Sequence, residues 1–397
     1  MSPDATPRVD LVWFNAGGGH RAAALALEQV MRDQGRPWTV RRVNLTEVLD
    51  PTALFRRTLG FEPEDLYNKR LASGFTLGLA QELKLLQAGI RLAHNTLAQR
   101  LAAHWQRTAP DLVVSLVPNF NRALHDSLAQ ARPGVPFVTV MTDMADHPPA
   151  FWMEPTVAQH LVCGTAHATQ QALAAGIPPW RVHRASGMVL RPEFHAAAST
   201  DPGADRSADR TAERAMVGLD AHTPTGLVLF GGTGSRVMTR IARALPDTPL
   251  VLMCGRNEAL AAALRAQPAR APRVVVGFTA EVARWMRRCD FFIGKPGPGS
   301  LSEAVSQGLP VITTRNAWTM PQERWNTEWV QQHGLGLVLR RFAEVNEAAP
   351  RLLAELPAYR QRVQAQRNQA VFEVPQILER ILREATAAPK PVAESSA

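Results

Sequence analysis

Short apolar runs recur along the chain with polar, helix-periodic stretches between them, and the runs fall into two series. The first series comprises Val9–Asn15, Trp38–Asn44, Leu112–Val117, Phe137–Thr142, Leu161–Cys163 and Val182–Ala185. The second comprises Leu227–Phe230, Leu250–Met253, Arg273–Val276, Phe291–Ile293, Pro310–Thr313 and Gly336–Leu339. Apolar runs of this kind, separated by amphipathic stretches, predict parallel strands covered by helices on both faces. Between the series, Ala196–Ala215 is rich in Ala, Ser, Asp and Arg and shows no apolar periodicity, which reads as a linker. The tail Ala387–Ala397 is Pro-, Ala- and Ser-rich and reads as disordered. The pattern predicts an α/β protein of two Rossmann-like, doubly wound domains facing a cleft. Residues 1–195 form the first, 196–215 the linker, and 216–386 the second with a C-terminal helix.

One stretch departs from the strand–helix alternation. Within Phe55–Arg107, Phe75, Leu79, Leu83, Leu86, Ile90, Leu97 and Leu101 recur at three- and four-residue spacing. Gln81, Lys84, Arg91, Asn95 and Gln99 lie on the opposite side, so the stretch predicts an amphipathic helix or pair. Its apolar face has two possible uses: packing on the sheet, or lying in a bilayer surface beside the cleft. Eight basic side chains oppose four acidic ones across it. At about 1 kcal/mol per basic residue near an anionic leaflet, that surplus supports reversible adsorption.

Composition narrows the classes. With 397 residues, 46% hydrophobic and 20% charged, the chain is an ordinary globular sequence long enough for two full cores. No apolar run is long enough to span a bilayer, and no basic segment followed by an apolar run opens the chain. Cys163, Cys254 and Cys289 are widely spaced in strand-like contexts and read as reduced core thiols, which fits a cytoplasmic protein. A formal net charge of +9 implies an anionic partner. Zinc-ligand spacing, a helix-turn-helix pattern and an aromatic-basic ribonucleoprotein motif are all missing, so nucleic acid is not expected. Acidic lipid and nucleotide phosphates remain.

Each series opens its first strand into a glycine turn. In the first, Gly17, Gly18, Gly19 and His20 stand between strand and helix; in the second, Gly231, Gly232, Gly234 and Ser235 do so. Such turns let backbone approach a ligand, and the helix N-terminus favours phosphate. Gly17-x-Gly19-x-x-Ala22 also passes as a dinucleotide fingerprint, but the second strand ends Arg41-Arg42-Val43-Asn44 without the acidic residue that NAD requires. Arg41 or Arg42 would suit NADP. The most specific stretch is FFIGKPGPGSLSEAVSQGLPVI. There a strand runs into a rigid turn, with a helix starting near Leu301. Gly299 and Ser300 can grip a diphosphate, and Glu303 can accept hydrogen bonds from ribose hydroxyls. In the MPQERWN segment beyond it, Gln322, Glu323 and Asn326 cluster groups suited to sugar hydroxyls.

Together, the Gly-Gly-Gly-His turn, KPGPGS with its glutamate, and Pro-Gln-Glu-x-x-Asn resemble glycosyltransferase family 28. The nearer resemblance is to monogalactosyldiacylglycerol synthases and processive diacylglycerol glucosyltransferases; that to the lipid II-forming N-acetylglucosaminyltransferase is more distant. The resemblance runs from about residue 9 to 345. It implies a GT-B fold and an inverting, metal-independent transfer with no cofactor. UDP-glucose or UDP-galactose would be the co-substrate and a membrane lipid such as diacylglycerol the acceptor, at the inner face of the cell membrane. The lack of an Asp-x-Asp motif agrees with that. Residue by residue, it places Gly231, Gly232, Gly234 and Ser235 near the diphosphate and Gly277 and Phe278 along the uracil. Gly299 and Ser300 would face the phosphates, Glu303 the ribose, and Gln322, Glu323 and Asn326 the transferred sugar. Gly18, Gly19, His147 and Trp152 would serve the acceptor. Pro321 stands where the family often has glycine, which leaves glucose and galactose both open.

An inverting transfer needs a base for the acceptor hydroxyl. Asp143, at the carboxyl end of the run Phe137–Thr142, and His20 compete, with Asp143 placed ahead and His20 given an acceptor-positioning or shared proton role. The plain alternatives are a helix cap for Asp143, a structural His20 and a solvated Lys295. Two other functional classes also stand: an NADP-dependent oxidoreductase, and a non-catalytic nucleotide-sugar-binding protein.

Overall fold

A computed structural model describes residues 6–15, 18–50, 79–195 and 206–387. Among them, two six-stranded sheets carry the molecule, every strand pairing parallel to its neighbours. The first contains β1 (Arg8–Trp13), β2 (Thr39–Asn44), β3 (Leu112–Ser115), β4 (Phe137–Val140), β5 (Gln159–Cys163) and β6 (Val182–Arg184). The second contains β7 (Gly226–Leu229), β8 (Leu250–Met253), β9 (Arg273–Val276), β10 (Phe291–Gly294), β11 (Val311–Thr314) and β12 (Gly336–Leu339). The apolar runs predict all twelve. β3, β4, β7, β8, β10 and β11 are buried at every position, as strands covered on both faces must be.

Strand order is β2-β1-β3-β4-β5-β6 in one sheet and β12-β11-β10-β7-β8-β9 in the other. Each order reverses beside the first strand of its sheet, at β1/β3 and at β7/β10. In parallel sheets the connections on either side of such a reversal leave to opposite faces, opening a crevice at the strands' carboxyl ends. Both glycine turns and the KPGPGS turn lie at these two points. The fold is GT-B.

Three segments differ from the sequence reading. Within the expected linker, Arg206–Ala215 is a helix. It lacks an apolar stripe because ion pairs hold it: Arg210 and Arg214 reach Asp290 at 2.6 and 2.9 Å. The C-terminal helix Ala370–Ala387, assigned by sequence to the second domain, returns to the first. Ala370, Val371, Val374, Leu378 and Ile381 share a core with Ala23, Ala24, Leu27 and Val30 of the helix Gly19–Asp33. Finally, the helix after KPGPGS begins at Pro298 rather than near Leu301, with proline in the first turn where its missing N–H costs nothing. The amphipathic stretch yields two helices, Leu79–Leu92 and His94–Thr108. Gly17, the part of that stretch from 55 to 78, residues 196–205 of the linker and the tail from 388 lie outside the described residues.

Because the last helix completes the first core, truncating it should unfold that core. Leu378→Ala, at a fully buried position, is expected to cost about 2–5 kcal/mol in urea unfolding. Wild-type stability for this variant would show that the helix is only appended.

Candidate functional site

The two crevices open onto one cavity of about 1540 Å³. Its first-domain wall carries Phe14, Gly18, Gly19, His20, Thr142 and Asp143; its second-domain wall carries Gly231, Gly232, Gly277, Phe278, Lys295, Gly299, Ser300, Glu303, Gln322 and Glu323.

On the first wall, Gly18 adopts φ 81 and caps the helix Gly19–Asp33, a conformation that places backbone at the cavity without a side chain in the way. One residue past that helix start, the His20 ring stacks on Phe14 with centroids 4.7 Å apart, and its Nδ1 lies 2.9 Å from the Thr142 hydroxyl. Burial pushes the imidazole down to about 4, so it is neutral near pH 7. Asp143 comes after β4 with only 8% of its surface exposed, and its Oδ2 accepts from Trp152 Nε1 at 3.0 Å. Burial pushes this carboxyl up to about 7; the Trp152 bond opposes the rise, Glu323 adds to it and Lys295 opposes it. A carboxyl and an imidazole at one crevice, with their affinities for protons driven in opposite directions, form a proton-handling site.

The second wall presents backbone. Gly231 (φ 78) stands just past β7, and Gly232 and Gly255 pack so closely that a Cβ on Gly255 would lie 2.0 Å from the Gly232 carbonyl. The helix Pro298–Ser306 aims its N-terminus into the cavity, where unpaired amides and the helix dipole suit a diphosphate. Lys295 stands beside that N-terminus, its Nζ 3.0 Å from Glu323 Oε1. Glu303, one turn along, is pushed up to about 7 by burial, with Arg191 opposing. Phe278 is 62% exposed at the cavity, and the Arg256 guanidinium lies 4.3 Å from its ring centroid. Among the described residues, no cluster of three or more His, Cys, Asp or Glu side chains could hold a metal ion.

Five expected site residues stand elsewhere. Trp152 is 0% exposed, so it touches Asp143 and not an acceptor. His147 is exposed and does not line the cavity. Gly234 makes the turn under the cavity, where a Cβ would strike Leu260 at 2.7 Å, and the Ser235 hydroxyl accepts from Val237 N. Asn326 is fully buried and donates through Nδ2 to the Pro296 carbonyl at 2.8 Å, fixing the KPGPGS turn from beneath. The NADP reading also loses its arginines: Arg41 is tied to buried Asp10 at 2.6 Å and Arg42 to Glu28 at 2.8 Å. Sequence reasoning missed Asp146, Thr142, Phe14 and Gly255; the Gly255 signal was a glycine just past the β8 run, as at β7.

A model of the monogalactosyldiacylglycerol (MGDG) synthase family matches residues 20–188, the segment that carries His20 and Asp143. Over 365 residues the chain is 28% identical to "Probable monogalactosyldiacylglycerol synthase 2, chloroplastic" of Oryza sativa subsp. japonica, taking in 84% of this chain and 71% of the relative. The monogalactosyldiacylglycerol synthase, chloroplastic, of Spinacia oleracea is 26% identical over 416 residues, 97% of this chain and 74% of its own. The chain resembles monogalactosyldiacylglycerol synthases over most of its length. In fold, the chain is similar to the crystal structure of Acinetobacter baumannii MurG, with a TM-score of 0.58 at 14% identity over 94% of this chain and 99% of that one.

If Glu303 accepts hydrogen bonds from a ribose, Glu303→Ala weakens UDP binding by about 1–3 kcal/mol. Isothermal calorimetry on the folded variant checks this; unchanged affinity removes Glu303 from the donor site.

Proposed function

We propose that the protein transfers a hexose from UDP-glucose or UDP-galactose to diacylglycerol with inversion at the anomeric carbon. The observation that carries this reading is the joining of two chemically opposite walls in one cavity. One offers glycine backbone, a helix N-terminus and Lys295 for a diphosphate; the other offers Asp143 and His20 beside apolar side chains. Leu83, Leu86, Ile90 and Leu97 line the far part of that first wall and suit acyl chains.

The acceptor hydroxyl gives its proton to the Asp143 carboxylate as its oxygen attacks the anomeric carbon from the face opposite the UDP. The bond from that carbon to the diphosphate breaks, and the electron pair leaves with the diphosphate oxygen. Lys295 and the amides at the start of the helix Pro298–Ser306 stabilise the charge that develops there. Gln322 and Glu323 face the hexose, and neutral His20, stacked on Phe14, orients the acceptor. Neither metal nor cofactor takes part in this scheme.

Leu85 is 72% and Leu92 90% exposed, on the same helix that lines the cavity. We infer that this helix rests in an anionic membrane surface, at the inner face of the cell membrane. Among the described residues, no helix is long and apolar enough to cross a membrane.

Radiolabelled UDP-hexose incubated with diacylglycerol vesicles tests the reading, with label expected in the extracted lipid. UDP binding without any labelled lipid would leave a nucleotide-sugar-binding protein instead. The pH profile separates the two bases, since a base works only when deprotonated. With Asp143, kcat/KM should fall tenfold per pH unit below about 7; with His20, the fall should start only near 4. Asp143→Asn should lower single-turnover rates about 10²–10⁴-fold with UDP affinity unchanged.

Adsorption is expected to rise with the fraction of anionic lipid and to weaken with salt, because exposed charges are screened beyond about 10 Å at 0.1 M. Vesicle flotation showing equal binding to neutral and anionic membranes at low salt contradicts the basic-helix argument.

A further inference from the structure

We propose that Trp152 is the positioning residue for the base: its indole N–H fixes Asp143 Oδ2 and leaves Oδ1 for the acceptor hydroxyl, while a buried polar cage fixes Trp152. The proposal rests on Asp143 being the base of the transfer described above.

The geometry sets Trp152 apart from an ordinary core tryptophan. Its side chain is wholly buried, so a ligand in the cavity does not reach it, yet Nε1 donates to Asp143 Oδ2 at 3.0 Å. Its own backbone is gripped at both ends. The N–H donates to Asp146 Oδ1 at 2.6 Å, and the carbonyl accepts from Asn121 Nδ2 at 3.0 Å and Gln159 Nε2 at 2.9 Å. Those partners are anchored in turn. The Ser115 hydroxyl at the end of β3 donates to Asn121 Oδ1 at 2.6 Å, and Gln159 on β5 donates to Thr139 of β4 at 2.6 Å. Asp146 also accepts from the Phe151 N–H at 3.1 Å, and the Phe151 ring meets the indole edge-on. Three neighbouring strands therefore set the position of one indole.

Packing alone does not call for this arrangement. Ser115, Asn121, Thr139, Asp146 and Gln159 are all buried, and burying polar groups costs free energy unless every bond is made. The cage bears that cost to aim a side chain whose only polar group is a donor. A donor-only partner favours the ionised carboxylate, so the indole bond counters the burial that makes Asp143 hold its proton. The other charged groups facing Asp143 are Glu323 and Lys295 across the cleft and Asp146 on its own loop. His20, whose ring centroid lies 6.0 Å from Trp152, stays neutral down to about pH 4 and does not change charge over the relevant window.

Trp152→Phe keeps an aromatic ring and removes the donor. Its acidic limb in kcat/KM should move up by about one to two pH units, the size expected for losing one hydrogen bond to a charged group. Above that limb its rate should return to within about tenfold of wild type, with UDP affinity unchanged by calorimetry. A uniformly reduced rate with the limb in its wild-type place would reduce Trp152 to packing and overturn the proposal. A second measurement does not depend on the variant folding. With the nine tryptophans labelled, one indole ¹H–¹⁵N signal should titrate near pH 7 in the wild-type protein and none in Asp143→Asn. An absence of titrating indoles in wild type also overturns it. The two levels stay separable: a fully active Asp143→Asn sinks the base assignment, whereas an unshifted limb in Trp152→Phe sinks the positioning role alone.

Discussion

A carboxylate taken out of water must find partners or take up a proton, and the first-domain side of the cleft is organised around that constraint at Asp143. Left to burial alone the group would stay protonated and useless as a base near neutral pH. Two influences oppose that rise: the Trp152 indole and Lys295 from the opposite domain. Glu323 works the other way, and its ion pair with Lys295 limits how far. The protonation of Asp143 in the first domain thus depends on charges that the second domain brings to the same space. A donor diphosphate drawing Lys295 away from Glu323 would change the field at Asp143, which links donor occupancy to acceptor activation through electrostatics alone.

The two sheets prepare different ligands by the same topological means. Each opens a crevice where its strand order reverses, and each fills the crevice with a glycine turn before a helix. The two differ in the groups placed beside the glycines. After Gly19 comes an imidazole stacked on Phe14, and Asp143 is added just past β4, so the first crevice holds two titratable groups. The second crevice combines bare backbone at Gly231 and Gly232 with the start of the helix Pro298–Ser306, which suits phosphate. Asn326, deep beneath KPGPGS, keeps that turn in shape without meeting the ligand.

The strands and the cavity-facing motifs were legible because they depend on local patterns. A doubly covered parallel strand is a continuous apolar run, and a phosphate-binding turn shows its glycines. The roles that escaped were those decided by long-range contacts. Nothing local distinguishes Asn326, which hides under a turn thirty positions earlier, from Gln322, which faces the cavity. Trp152 sits among apolar neighbours and declares its role only once β4 and the loop after it fold together. The helix Arg206–Ala215 shows no apolar stripe because its anchor is Asp290, an ionic partner far along the chain. The return of Ala370–Ala387 to the first core is likewise a matter of topology, since an amphipathic stripe says that a helix packs but not against which partner.

The apolar helix Leu79–Leu92 and the buried base are parts of one electrostatic arrangement. Leu83, Leu86 and Ile90 line the same cavity as Asp143, so an acyl chain lying along them would expel water from the space the carboxylate faces. With less water the desolvation of Asp143 grows, and the Trp152 bond, the Lys295 charge and the repulsion from Glu323 all act through a lower dielectric and count for more. A water-filled cavity screens all three. On this reasoning the proton affinity of Asp143 would respond to lipid and donor together, burial raising it and the Trp152 and Lys295 contacts lowering it. If the exposed leucines rest in a membrane surface, as proposed, they would serve a second purpose beyond attachment: delivering a substrate whose own apolar body completes the environment around Asp143.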